Sequence, residues 1–392
     1  MGCHFGVALM ETEETPSGAY CPSCGRYIGT YDVCPYCGAR VRYRLKMKIL
    51  FIIAILLSSL GMFSLYYASR HSETPIVYIK DITSEMNYAR VRIVGYAYTS
   101  ATYDEVQGRL YFSIVDENWT YNEEFKTQTI MVYAYTPTSR ELIEQKRAPV
   151  SGDKIEIVGT LRIRDSISLI INDADDLVIS RDPPKDYSLE IIHYNWKKLK
   201  GQPVRVTGWI VDLTNYTTFM TGNIKDYAYP DFELNIYIPE ISMRIGQMPD
   251  VFVGDKIEII GNLWEYRGEP EIVPWNGTCI NIVNKLSVTN LSVILSNIAE
   301  YAEQGRIVMV NVTIVGVDKN YSNRIYIYDE SISPISAMTL WIDFSVWDEL
   351  NDSMKEALNT LYNHILLVGE CKKFSGKYEI AVHQDDWIRK VW

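Results

Sequence analysis

The chain has 392 residues, 47% hydrophobic and 22% charged, which excludes a disordered tail protein and suits two to four domains of about 100 to 150 residues each. Its net charge of −11 conceals an asymmetry: residues 1 to 48 hold six Lys/Arg against four Asp/Glu, and the rest hold 32 against 45. A general nucleic-acid binder is usually basic, so the acidic bulk of the chain argues against that class. With 29 tyrosines, and Ile/Val runs bounded by Gly, Asp and Asn, mainly β structure is expected.

Residues 1–19 read as a flexible N-terminus. Met1-Gly2-Cys3 begins like a myristoylation signal, but Gly6 stands where Ser or Thr is required, so that motif fails. Residues 20–42 contain Cys21-Pro-Ser-Cys24-Gly and Cys34-Pro-Tyr-Cys37-Gly. Each is a turn presenting two thiolates and closing on a glycine able to take positive φ. Cys21, Cys24, Cys34 and Cys37 together predict a tetrahedral four-sulfur site, and soft thiolates at this doubled spacing favour structural Zn²⁺. A segment this short buries no real core, so the metal supplies most of its folding free energy. The stretch resembles the short zinc ribbons with repeated Cys-Pro-x-Cys-Gly knuckles, a likeness that implies a structural or protein-contacting role.

From Ile49 to Ser69 there are 21 residues without a charge, a helix of about 31 Å against a hydrocarbon core of about 30 Å. This predicts one transmembrane helix, with no polar face such as a core helix shows. Arg40, Arg42, Arg44, Lys46 and Lys48 precede it and only Arg70 follows closely, so the positive-inside rule places the N-terminus in the cytoplasm and residues 72–392 outside. Asn-x-Ser/Thr sequons at Asn118, Asn215, Asn276, Asn290, Asn311, Asn320 and Asn351 all lie beyond the helix, as candidate glycosylation sites. Cys279 and Cys371 would share that side, where a disulfide persists if their geometry allows one.

The phrase Gly152-Asp153-Lys154-Ile155-Glu156-Ile157-Val158-Gly159 returns as Gly254-Asp255-Lys256-Ile257-Glu258-Ile259-Ile260-Gly261, and more faintly as His364-Ile365-Leu366-Leu367-Val368-Gly369. Copies about 100 residues apart indicate duplicated domains rather than a solenoid. Each is preceded by a strand pattern, at Val91 to Tyr98, Val204 to Val211 and Val308 to Gly316. Two further strands are expected between these landmarks and a fifth after them, at Ser168 to Asn172, Glu271 to Val273 and Lys377 to Val382. A helix precedes the fourth strand in the first and third units, clearest over Trp347 to Tyr362, where Leu350, Met354, Leu358 and Leu361 share a face. Five strands with a helix between the third and fourth is the OB plan.

The expected architecture is therefore a zinc ribbon, a membrane helix and three tandem five-stranded OB barrels over 75–182, 186–285 and 288–392. At these residues the chain resembles OB modules of the nucleic-acid-binding, tRNA-anticodon-like type, whose fourth strand often reads Gly-Asp-x-Val-x-Val-x-Gly. That resemblance implies a ligand face with stacking aromatics and cations, for which the first unit offers Arg92, Tyr96, Tyr98, Arg109, Tyr111, Tyr133 and Tyr135. The acidic charge opposes nucleic acid on that face. The Lys197-Lys198-Leu199-Lys200 run reads as a solvated loop, and the acidic corners at Asp173-Ala174-Asp175-Asp176 and Asp385-Asp386 read as solvated strand ends, lacking a calcium-loop pattern.

No phosphate loop, nucleophile elbow or His-Glu-x-x-His helix is present, and the five histidines are scattered. The chain is expected to be a non-enzymatic, membrane-anchored binding or scaffold protein that engages a protein, glycan or other envelope component. The ribbon-plus-anchor design is similar to archaeal ones. Single-stranded nucleic-acid binding is the competing class. The haem chaperone of cytochrome c maturation is also similar, with one anchor and an outer OB barrel carrying a late histidine, here His383.

Overall fold

The computed structural model describes residues 20–29, 31–40, 43–71, 74–117 and 129–392. They fall into two compact units, Met1–Glu73 and Thr74–Trp392. The residues expected to form the flexible N-terminus, and the sequon at Asn118, lie outside the described residues.

In the first unit, two knuckle turns are built alike. Gly25 N–H donates to the Cys21 carbonyl and Gly38 N–H to the Cys34 carbonyl, while the amides of Cys21 and Cys34 bond the carbonyls of Arg26 and Ala39. Gly25 and Gly38 take φ of +70° and +73°, the left-handed conformation the spacing requires. A helix then runs from Tyr43 to His71. Its Ile49–Tyr67 segment is long and apolar enough to cross a membrane, and none of it is buried.

In the second unit, alternation of buried and exposed positions builds three closed five-stranded barrels. The strands of the first are Arg90–Ala97, Arg109–Asp116, Ile130–Tyr135, Lys154–Ile163 and Ile167–Ile171. Those of the second are Pro203–Asn215, Phe219–Asp226, Tyr229–Pro239, Lys256–Tyr266 and Glu269–Pro274. Those of the third are Ile307–Val317, Arg324–Tyr328, Met338–Ile342, His364–Phe374 and Lys377–Val382. In each barrel the order is 1-2-3-5-4, with strand four pairing back to strand one. Strands three and five are parallel and every other pairing around the barrel is antiparallel. This is the connectivity of the OB plan, and closure leaves the barrel no free edge.

The repeated Gly-Asp pairs have a structural role at the barrel seams. Gly152 and Gly254 take φ of +85° and +89°, and their N–H groups donate to Ala97 and Ile210 carbonyls on the first strands. The aspartates that follow are buried. Asp153 accepts from the Val150 amide, from both sides of the Arg181 guanidinium at 2.7 and 2.6 Å, and from Asn262 of the second barrel at 2.9 Å. Asp255 accepts from the Phe252 and Leu286 amides, the latter on the link to the third barrel. The second and third barrels are joined further by Tyr227, whose hydroxyl accepts from Ile307 N–H, and by Gln384 donating to Asp212.

Two expectations need correction. The helix expected over Trp347 to Tyr362 is two, Phe344–Glu349 and Asp352–Asn359, because Leu350 turns extended and the Asn351 side chain accepts from Met354 N–H to cap a new helix. The Lys197-Lys198-Leu199-Lys200 run is not a loop: it ends the helix Leu189–Leu199, started by Ser188, whose hydroxyl accepts from Ile191 N–H. Lysines at that end are favoured by the helix dipole, and Lys200 pairs with Glu265 at 2.9 Å.

Candidate functional site

The four cysteines converge. Cys21 and Cys37 sulfurs are 3.4 Å apart, Cys24 and Cys34 sulfurs 3.6 Å, and all four lie within 4.8 Å. A tetrahedron with metal–sulfur bonds of about 2.3 Å has edges of about 3.8 Å, so the cluster fits one tetrahedral ion with little adjustment. Burial raises the Cys21 thiol, but hydrogen bonds from the Cys24 and Ser23 backbone outweigh this and bring it down to about 6. The ribbon's buried apolar cluster is Cys21, Ile28 and Cys34 with Ala39 against it, too little to hold a fold without the metal.

The seven residues expected to form a ligand face separate into two groups. On strands two and three of the first barrel, Tyr111 and Tyr133 face each other with centroids 6.3 Å apart, and Tyr133 stacks on Tyr135 at 6.3 Å and 17°. Arg109 lies over Tyr111 and Tyr133 but is paired with Asp104 at 3.5 Å. Arg92 is paired with Glu156 at 3.2 Å, on the neighbouring strand. The two cations that would track phosphates are thus already engaged with carboxylates. Tyr96 and Tyr98 instead turn to the second barrel and pack on Trp264, at 6.3 and 6.4 Å.

Between these groups opens a cleft of about 800 Å³, walled by both barrels. From the first barrel come Tyr98, Tyr111 and Met131; from the second come Phe219, Tyr237 and Trp264. Tyr216 stacks on Phe219 at 4.5 Å, and Phe219 lies 5.6 Å from Tyr237. Glu271 sits in this lining, opposite Trp264 in the strand ladder and only 9% exposed. Its neighbour Ile272 points into the barrel core, so the pleat directs Glu271 outward, into the cleft. Burial pushes its carboxyl up to about 7. Beside the aromatic rings the lining carries hydroxyls, among them Thr99, Ser113 and Thr221, and its volume falls in the range of small-molecule clefts. Phe219, Tyr237, Trp264 and Glu271 were missed as site residues, although Glu271-Ile272 and Glu379-Ile380 recur at the same point of the fifth strand and mark an outward carboxyl.

The remaining candidates are placed as follows. Cys279 and Cys371 are both free: Cys371 lies in the third barrel's core, its thiol pushed up to about 12 by burial, and Cys279 lies in a single turn after strand five of the second. The disulfide between them is not made. Asn215, Asn290, Asn311, Asn320 and Asn351 are exposed, while Asn276 is half-buried and accepts from Thr278 N–H. The first acidic corner is not free: Asp175 pairs with Arg147 and Asp176 with Arg90. His383 is clamped, Nδ1 to Asp343 at 2.6 Å and Nε2 to Glu370 at 2.8 Å, so neither ring nitrogen is left free for a haem iron.

No family model matches the chain, and no curated protein does. Among solved structures it is similar to "OBody AM1L10 bound to hen egg-white lysozyme", at 25% identity over 27% of this chain and all of that one, with a TM-score of 0.21. It is likewise similar to "OBody AM3L09 bound to hen egg-white lysozyme", at 24% identity over 26% of this chain and 99% of that one, with a TM-score of 0.20. Each likeness spans about the length of one barrel, and neither bears on what these barrels bind.

Proposed function

We propose that this chain is a non-enzymatic binding or scaffold protein held in a membrane by its single apolar helix, with a zinc-holding ribbon in the cytoplasm and three OB barrels outside. The observation that carries the binding role is the aromatic cleft where the first two barrels meet. A barrel serving only as a spacer has no need of a large aromatic-walled hollow between itself and its neighbour. The basic flank before the helix supports the orientation. A protein or other envelope component is the expected outer partner, and a cytoplasmic protein the expected partner of the ribbon.

The test is photocrosslinking in native membranes, with a photoreactive residue replacing Tyr135, which is exposed at the end of the tyrosine stack. A defined envelope protein or glycan adduct is expected, and its absence at several exposed positions on all three barrels would count against the scaffold reading. The stack itself favours a second reading, single-stranded nucleic acid lying across strands two and three of the first barrel. It predicts oligonucleotide binding whose affinity falls steeply with salt, and no binding at low salt removes it.

A further inference from the structure

We infer that the cleft between the first two barrels binds a small organic ammonium ion, with Glu271 as its counter-ion and Tyr216, Phe219 and Tyr237 as its aromatic walls. The inference rests on the reading of that cleft as a binding site, and goes further in naming the charge and size of what enters.

Three observations converge. The first is an unpaired carboxylate: Glu271 is 9% exposed, and its side chain makes no hydrogen bond or ion pair with any described residue. A buried carboxylate without a partner carries a large desolvation cost, which is why most are paired. The second is the company it keeps, rings whose faces carry negative quadrupoles that attract cations, most strongly when water is excluded. Burial, and then the Glu271 charge nearby, hold the Tyr237 phenol above the ordinary range. The third is volume: about 800 Å³ admits an organic molecule rather than a bare ion.

Other occupants fit less well. A neutral apolar ligand would bury Glu271 further and leave it unsatisfied. A divalent cation needs about six oxygen ligands, and the one cluster with metal-ligand spacing among the described residues is the cysteine set. An anion would meet Glu271 directly. Of the other charged groups, Glu265 pairs with Lys200, which also lies 5.4 Å over the Trp264 ring, and the Arg267 guanidinium lies 5.0 Å over the Tyr266 ring, at the exposed rim of the same cleft. The ammonium head would therefore sit against Glu271 with its alkyl groups on the rings, as in known aromatic cages.

The test is a tryptophan-fluorescence titration of the full-length protein in detergent micelles with tetramethylammonium chloride, against sodium chloride and sodium acetate at equal ionic strength. A saturable change with tetramethylammonium alone is expected. Glu271→Gln, which keeps shape and removes charge, should weaken binding by about tenfold or more. Phe219→Leu should weaken it severalfold, and Arg267→Ala, which removes a like charge from the rim of the cleft, should tighten it. Thermal melts confirm folding, with Glu271→Gln expected to melt at or above the parent temperature at pH 8. A response shared with sodium, a saturable response to acetate lost in Arg267→Ala, or unchanged binding in a folded Glu271→Gln protein would each overturn the proposal. Crosslinked partners recovered without ammonium binding would sink this inference alone, and ammonium binding without partners would sink the scaffold reading alone.

Discussion

At position 362 a tyrosine does what a glycine does in the other two repeats. Its N–H donates to the Ile314 carbonyl, and Ile314 N–H donates to the Asn363 carbonyl. The same exchange is made by Gly152 and Asp153 with Ala97, and by Gly254 and Asp255 with Ile210. The turn demands positive φ, and Tyr362 adopts +69° with its side chain 73% exposed. A non-glycine residue there costs about 1–2 kcal/mol, against about 0.5–1 kcal/mol of extra chain entropy for glycine. Tyr362→Gly is therefore expected to raise stability by about 0.5–1 kcal/mol, measured by urea unfolding. Gly152→Ala should lower it, because a Cβ there would also meet Asn262 Cβ at 2.9 Å. The glycines at 152 and 254 were legible because few other residues suit such a turn, and the third copy was faint because tyrosine hides it. Glu271 was not legible as a buried group: alternation marks it as outward, and only the neighbouring barrel makes outward buried.

Among elements, the last barrel is fastened by a titrating clamp. His383 follows strand five, Asp343 follows strand three, and Glu370 lies within strand four, so one imidazole ties the ends of strands three and five to the body of strand four. The hydrogen bond to Glu370, then that to Asp343, raise the His383 pKa above its ordinary value. A raised histidine pKa stabilises the fold fully below the unfolded value of about 6.5, and the effect is lost as pH rises through the folded value. His383→Gln should thus lower the melting temperature markedly at pH 5.5 and much less at pH 9; an equal loss at both would disprove a charged clamp. In the ribbon, chelation or Cys37→Ser should release the metal, measured by a colorimetric zinc assay, and unfold residues 20–40. The barrels should keep their own melting transition, since the two units are separate. Strands were legible because alternation survives burial on one face. The helix Leu189–Leu199 is marked in the sequence by Ser188 and by the helical spacing of Leu189, Ile192, Trp196 and Leu199, a pattern that the compact run of lysines at its end masks.

At the scale of the whole chain, repetition announced three barrels, yet nothing in it announced how they join. Tyr96 and Tyr98 look like ligand-facing aromatics in one barrel considered alone, and they turn out to pack on Trp264 of the next. The proposed orientation across a membrane is the remaining step from architecture to function, and the chain offers a clean way to measure it. Val106 is 97% exposed in a turn of the first barrel. The native thiols of the barrels are poor competitors, because burial holds Cys371 at about 12 and raises Cys279 as well, leaving little reactive thiolate. Val106→Cys in intact cells should react with a membrane-impermeant maleimide well above the unsubstituted chain. A thiol placed before the helix should react only after permeabilisation. Labelling of Val106→Cys that also waits for permeabilisation would place the barrels in the cytoplasm, which removes the envelope-facing role and puts the basic residues before the helix outside, against the positive-inside rule.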